Sequence, residues 1–183
     1  MGSIVLGAVF SIILLLGVYV ISYNLRLIAV SLLLMIPASI LIWIDALYPT
    51  IPFAIARYVL SAVTIFFILF VMLKNILSAK KVTTYEIYGA LSVYLLVALA
   101  YSQIYLLFYN LNPGSIYFEF GTYSFSAILY FSFVCLATVG FGDIVAVAPL
   151  ARSIVILEAT TGVFFVAILI ARLIGSLSIT AKN

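Results

Sequence analysis

The sequence predicts an all-α membrane protein of five membrane-crossing helices, with a sixth, shorter helix that enters the membrane without crossing it. Three observations predict this. Of 183 residues, 68% are hydrophobic and only 7% charged, where a soluble domain carries about 25% charged. Five apolar segments reach the roughly 20 residues that a span requires. Between the last two lies a stretch of another kind, a short apolar run followed by a glycine-rich loop.

The first segment is Ile4–Ser22. It lacks the positive start and small-residue cleavage site of a signal peptide, so a retained span is expected. Leu6 stands where a myristoylation signal needs Ser or Thr. The second segment is Leu27–Leu47, which Pro37 is expected to kink. The third is Phe53–Leu77 and the fourth Tyr85–Tyr109. Next comes Leu111–Pro149, opening on the turn Asn112-Pro113-Gly114. Its apolar run, Phe125–Ala137, has about 13 residues, which suits a re-entrant half-helix. Ser124 is the expected N-cap. The last span is Leu150–Leu177. No repeat, long linker or soluble regulatory domain is expected in this chain.

Composition excludes several functions. There is no histidine and a single cysteine, Cys135, expected to be a small buried residue. Imidazole catalysis, histidine metal sites and an internal disulfide are thereby removed. No paired carboxylates or other catalytic constellation is present, so no enzyme and no cofactor are expected. The net charge of +3 rests on few basic residues near helix ends and calls for no nucleic acid.

Irregular backbone at membrane depth is tolerated only inside protein or along a water-filled path. The loop Gly140-Phe141-Gly142 therefore implies a pore or an enclosed site. Consecutive backbone carbonyls aimed at one axis replace the hydration shell of an ion. That geometry needs left-handed residues in alternation, which glycine adopts at little cost, and Gly140 and Gly142 stand at alternate positions. Val139 and Phe141 are expected to turn outward, and Thr138 to add its hydroxyl at the inner end. The half-helix points its negative C-terminus at a cavity.

Thr138-Val139-Gly140-Phe141-Gly142-Asp143 resembles the filter of the potassium-channel pore family. The resemblance extends over roughly Tyr85–Gly175. It divides the chain into an N-terminal three-helix membrane region of unknown role, 1–82, and a pore domain, 83–183. It implies a homotetramer of four filter strands around one axis. Transported K+ would be held at Thr138, Val139, Gly140 and Phe141, and the mechanism would be passive, selective conduction. Departures from the family pattern are visible. Phe141 lacks a hydroxyl, with Tyr130 and Phe131 at the place of an aromatic cuff. Val134 stands where some members have a carboxylate, so Asp143 needs another partner. Ala137 replaces a common Thr. Gly162 falls at the hinge position of the family's inner helix, and serves either as a hinge or for close packing beside the half-helix.

Helical geometry of 100° per residue places Val163, Val166 and Ile170 within about 60° of one another. The resemblance turns this face to the cavity, with Ile174 continuing it, where such apolar residues either close the pore by dewetting or serve ordinary helix packing. Glu158 lies about 110° from that face. An acid within a span costs about 2.5–3.5 kcal/mol on insertion scales. It is expected to face the half-helix or a neighbouring subunit and to support the filter, its carboxyl protonated or hydrogen-bonded to Ser or Thr behind it; the alternative is a partly solvated charge near a helix end.

Pore orientation makes the chain a multi-pass cell-membrane protein with the N-terminus outside and the C-terminus cytoplasmic. Arg26, Lys74, Lys80, Lys81, Arg172 and Lys182 then lie inside, and Asp45–Pro52 outside, in keeping with the positive-inside rule. Lipid is the expected surrounding. Arg57 and Lys74 are the only basic residues in the third span, so strong voltage sensing is not expected, each charge being worth about 2.3 kcal/mol per 100 mV. Asp45 and Arg57 either pair at the outer surface or are separately hydrated, and hydration is the favoured reading. The alternatives are a weakly selective monovalent cation channel and a nonconducting membrane-interaction subunit.

Overall fold

The computed structural model describes residue 12 and residues 25–48, 50–79 and 83–180, with side chains to residue 174 except at 46. The expected first span, Ile4–Ser22, lies outside the described residues except at residue 12, and Lys80, Lys81 and Lys182 lie outside them too. Among the described residues, four helices are long and apolar enough to cross a membrane: α1 (Leu25–Leu47), α2 (Ile51–Ser78), α3 (Thr84–Leu111) and α5 (Pro149–Thr180). The shorter α4 covers Phe125–Leu136.

Each helix buries a stripe at helical spacing. In α1 the stripe is Ser31, Met35, Ala38 and Ile42, and the helix continues through the exposed Pro37. In α2 it runs from Ala54 and Tyr58 through Ser61, Ile65 and Ile68 to Met72, facing both α1 and α3. α3 is central, packing on α2 to one side and on α4 and α5 to the other. A capping box starts it: the Thr83 amide donates to the Glu86 carboxylate at 2.8 Å, while the Tyr85 amide donates to the Thr83 hydroxyl. Two apolar cores result. One joins α1, α2 and α3, with Leu136 at its edge. The other gathers Tyr58, Tyr105, Ile116, Ile128, Phe131 and Ile144 around α4.

A small antiparallel ribbon, β1 (Ile116–Phe118) with β2 (Ile144–Ala146), departs from the purely helical expectation. It follows a single 3₁₀ turn, Pro113–Ser115, in which the Asn112 side chain accepts from the Gly114 amide. The ribbon pairs chain just before α4 with chain just after the loop, Tyr117 opposite Val145. It is extended by the Glu119 amide donating to the Asp143 carbonyl at 2.9 Å. Both ends of the α4-loop hairpin are thereby clamped together.

Asp45 and Arg57 are paired rather than separately hydrated. Their charged groups lie 3.1 Å apart, with the side chains only 13% and 23% exposed. The Arg57 guanidinium also lies 4.2 Å over the Tyr58 ring. Part burial removes the water that separate hydration would need. At the other end of the bundle, Arg172 of α5 donates to the carbonyls of Ile76 and Ala79, the latter at 2.7 Å. Ile76 stands in the last turn of α2, where its carbonyl also accepts from the Ala79 amide at 3.3 Å, and Ala79 is the residue that ends the helix.

Candidate functional site: the loop after α4

Ser124 caps α4 as its sequence position suggests, its hydroxyl accepting from the Ala127 amide at 3.1 Å. The other end closes with two bonds of 3.0 Å, Thr138 amide to Cys135 carbonyl and Val139 amide to Val134 carbonyl. This is the Schellman pattern, in which the residue past the cap turns left-handed and is usually glycine. Here it is Thr138, with φ +55°. A β-branched residue in that region is an outlier, at a cost of about 1–2 kcal/mol.

The left-handed turn then repeats at every second residue, with Gly140 at φ +62° and Gly142 at +85°. Backbone that alternates hand turns successive carbonyls toward one side. Among the described residues, no hydrogen bond is accepted by the carbonyls of Thr138, Val139, Gly140, Phe141 or Gly142. Residues 137–142 are all exposed in the single chain, Val139 at 53% and Phe141 at 68%. The sequence identified the two glycines. It missed the third left-handed residue, because threonine carries no propensity for that conformation.

The residues expected around the loop are distributed as follows. Phe131 is buried, edge-on to Tyr105 at 5.0 Å. Tyr130 lies parallel to Phe141, ring centres 6.4 Å apart, and its hydroxyl sits beside the Asp143 carboxylate. Tyr130 is thus the neighbour that Asp143 finds where Val134 offers none. Val134 is buried in α4. Among the described residues, no cluster of three His, Cys, Asp or Glu side chains is placed to hold a metal ion.

Glu158 is completely buried and turned toward α4, one of the two surroundings that its place on the helix allowed. One carboxyl oxygen is 2.5 Å from the Ser132 hydroxyl of α4 and the other accepts from the Tyr105 hydroxyl of α3 at 2.6 Å. Ser132 has a detectable sequence signal, a hydroxyl within an apolar half-helix. Tyr105 has none, being one of 13 tyrosines.

Of the two readings of Gly162, the structure displays close packing. A Cβ there would fall 2.0 Å from the Leu136 carbonyl oxygen, and α5 runs through the position without interruption. Val163, Val166, Ile170 and Ile174 are between 44% and 63% exposed. They lie on a wide uncovered surface of α5 that also carries Ile156, Leu157, Phe164 and Ile168.

Residues 91–178, just under half of the chain, match the family described as "Ion channel". The match takes in most of α3, all of α4 and the loop, and most of α5. No curated protein and no solved structure matches the chain. The match and the four apolar helices support an ion-channel domain in a multi-pass membrane protein.

Proposed function

We propose that the chain is one subunit of a potassium-selective channel, four copies surrounding an axis lined by Thr138, Val139, Gly140, Phe141 and Gly142. The observation that carries this reading is the row of unbonded carbonyls on backbone that is left-handed at Thr138, Gly140 and Gly142. Bare carbonyls at membrane depth cost several kcal/mol each, and a dehydrated cation held between copies removes that cost. The exposure of the loop and of most of α5 favours further copies over a single chain, since one chain leaves both uncovered. K+ is the transported substrate, with no bond made or broken. Asp143, Tyr130, Phe131 and Val134 brace the loop from behind. Val163, Val166, Ile170 and Ile174 line the cavity and supply an apolar constriction. The loop faces the outside, and Arg172 the cytoplasm.

Potassium and sodium fluxes through purified protein in liposomes test this, with Gly140→Asp as control. The expected result is potassium flux, blocked by barium and abolished in the control. Equal fluxes of the two ions would overturn the selectivity. No flux from a folded tetramer would favour the nonconducting interaction subunit.

A further inference from the structure

We propose that Glu158 is a positioning residue for the loop, held as a neutral carboxylic acid that completes a hydrogen-bond chain across α3, α4 and α5. The inference deepens the channel reading and rests on it only for its effect on ion flow.

The argument is a count of protons. Three contacts run in series: Tyr105 hydroxyl to Glu158 at 2.6 Å, Glu158 to Ser132 hydroxyl at 2.5 Å, and Ser132 hydroxyl to the Ala98 carbonyl at 2.7 Å. Tyrosine and serine each bring one proton, and the carbonyl and an ionised carboxylate bring none. With Glu158 ionised, two protons serve three contacts, and Ser132 has to divide one hydrogen between two acceptors. A proton on Glu158 makes the count three for three. Tyr105 donates to one carboxyl oxygen, the other oxygen donates to Ser132, and Ser132 donates to Ala98. The groups packed around Glu158 agree with this. Tyr105 comes from α3 and Cys135 from α4, with Tyr101 close to Tyr105. None of them is a cation, and an unpaired buried carboxylate is strongly unfavourable.

The chain of bonds also sets register. Glu158 and Gly162 are one turn apart on α5, and Ser132 and Leu136 one turn apart on α4. The first member of each pair meets by hydrogen bond and the second by backbone contact. Two such points fix both the rotation and the slide of α5 against α4. The end of α4 in turn carries Thr138 and Val139 through its closing bonds. A shift at Ser132 is therefore transmitted to the first carbonyls of the row.

Substitutions separate the neutral from the ionised form. Glutamine reproduces the neutral acid, its amide N–H donating to Ser132 and its oxygen accepting from Tyr105. Aspartate keeps the carboxyl but is one methylene too short to meet both. The experiment is infrared spectroscopy of the full chain in liposomes at neutral pH, wild type against Glu158→Gln, with ion flux on the same samples. The expected difference is loss of a protonated-acid carbonyl band, which Ser132→Ala shifts in wild type without removing. Glu158→Gln should keep the potassium-to-sodium flux ratio, and Glu158→Ala should lower it about tenfold, the equivalent of one buried hydrogen bond. Loss of a carboxylate band instead, or failure of Glu158→Gln to assemble where Glu158→Asp assembles, would overturn the proposal. An acid band in protein that passes no ions would leave the neutral acid standing and remove the channel reading. Selective potassium flux with an ionised Glu158 would do the reverse.

Discussion

Two glycines show how differently the same residue type is used. Gly162 is required for space: its missing Cβ leaves room for the Leu136 carbonyl. Gly162→Ala should destabilise the folded protein by about 1–3 kcal/mol, as overpacked sites do, and thermal melting of the purified protein measures this. Unchanged melting would mean that α4 and α5 stand farther apart. Gly140 is required for conformation, because nothing lies within 4 Å of its Cβ position while φ is +62°. Gly140→Ala should therefore cost about 1–2 kcal/mol of local backbone strain. Potassium flux should fall while melting changes little. A variant that conducts like the parent would remove the need for a left-handed residue there.

At the scale of elements, the turn before α4 is tied to the helical bundle by an aromatic cluster. The Tyr123 ring stacks on Tyr109 with centres 4.0 Å apart. Its hydroxyl accepts from the Asn110 amide at 3.0 Å and lies 3.4 Å from the Tyr58 hydroxyl. Burial first, and then the Tyr58 hydrogen bond, raise the pKa of Tyr123 above the ordinary tyrosine value. The folded chain thus holds this proton more tightly than the unfolded chain. Its stabilisation is complete below about pH 10, the unfolded value, and is lost as pH rises beyond it. Melting temperature should decline above that pH, and Tyr123→Phe should make the decline shallower. An equal decline in the variant would assign the alkaline sensitivity to other groups.

The whole molecule is a bundle in which α5 touches the N-terminal helices at a point far along the chain. Arg172 reaches the carbonyls of Ile76, in the last turn of α2, and of Ala79, just past it, 96 and 93 residues away in sequence. That contact gives the N-terminal region a mechanical connection to the end of α5. Arg172→Gln should loosen the final turn of α2, since hydrogen bonds from a charged donor contribute about 1.5–3 kcal/mol. Amide exchange there should rise by about tenfold or more, and exchange in α4 should be unaffected. Equal protection in the variant would show that apolar packing alone holds the two helices together. The partly buried Asp45–Arg57 pair fastens α1 to α2 near the opposite end of α2.

Four spans, the half-helix and its Ser124 cap were legible in the sequence within a few residues, because they depend on apolar length, composition and local capping. Gly140 and Gly142 were legible for a similar reason, since a glycine is the local signature of a left-handed backbone. The three-residue β-ribbon was not, because its strands are too short for a periodic pattern and exist only by pairing across the loop. The left-handed Thr138 follows from how α4 ends against its surroundings, against threonine's own preference. The pairing of Asp45 with Arg57, the grip of Arg172 on α2 and the Tyr105–Glu158–Ser132 chain were likewise decided by tertiary structure. Sequence turned Glu158 away from the Val163, Val166 and Ile170 face, toward the half-helix or a neighbouring subunit, because 100° per residue is a local rule. Which hydroxyls it meets depends on three helices packing at once, and no local rule contains that distance.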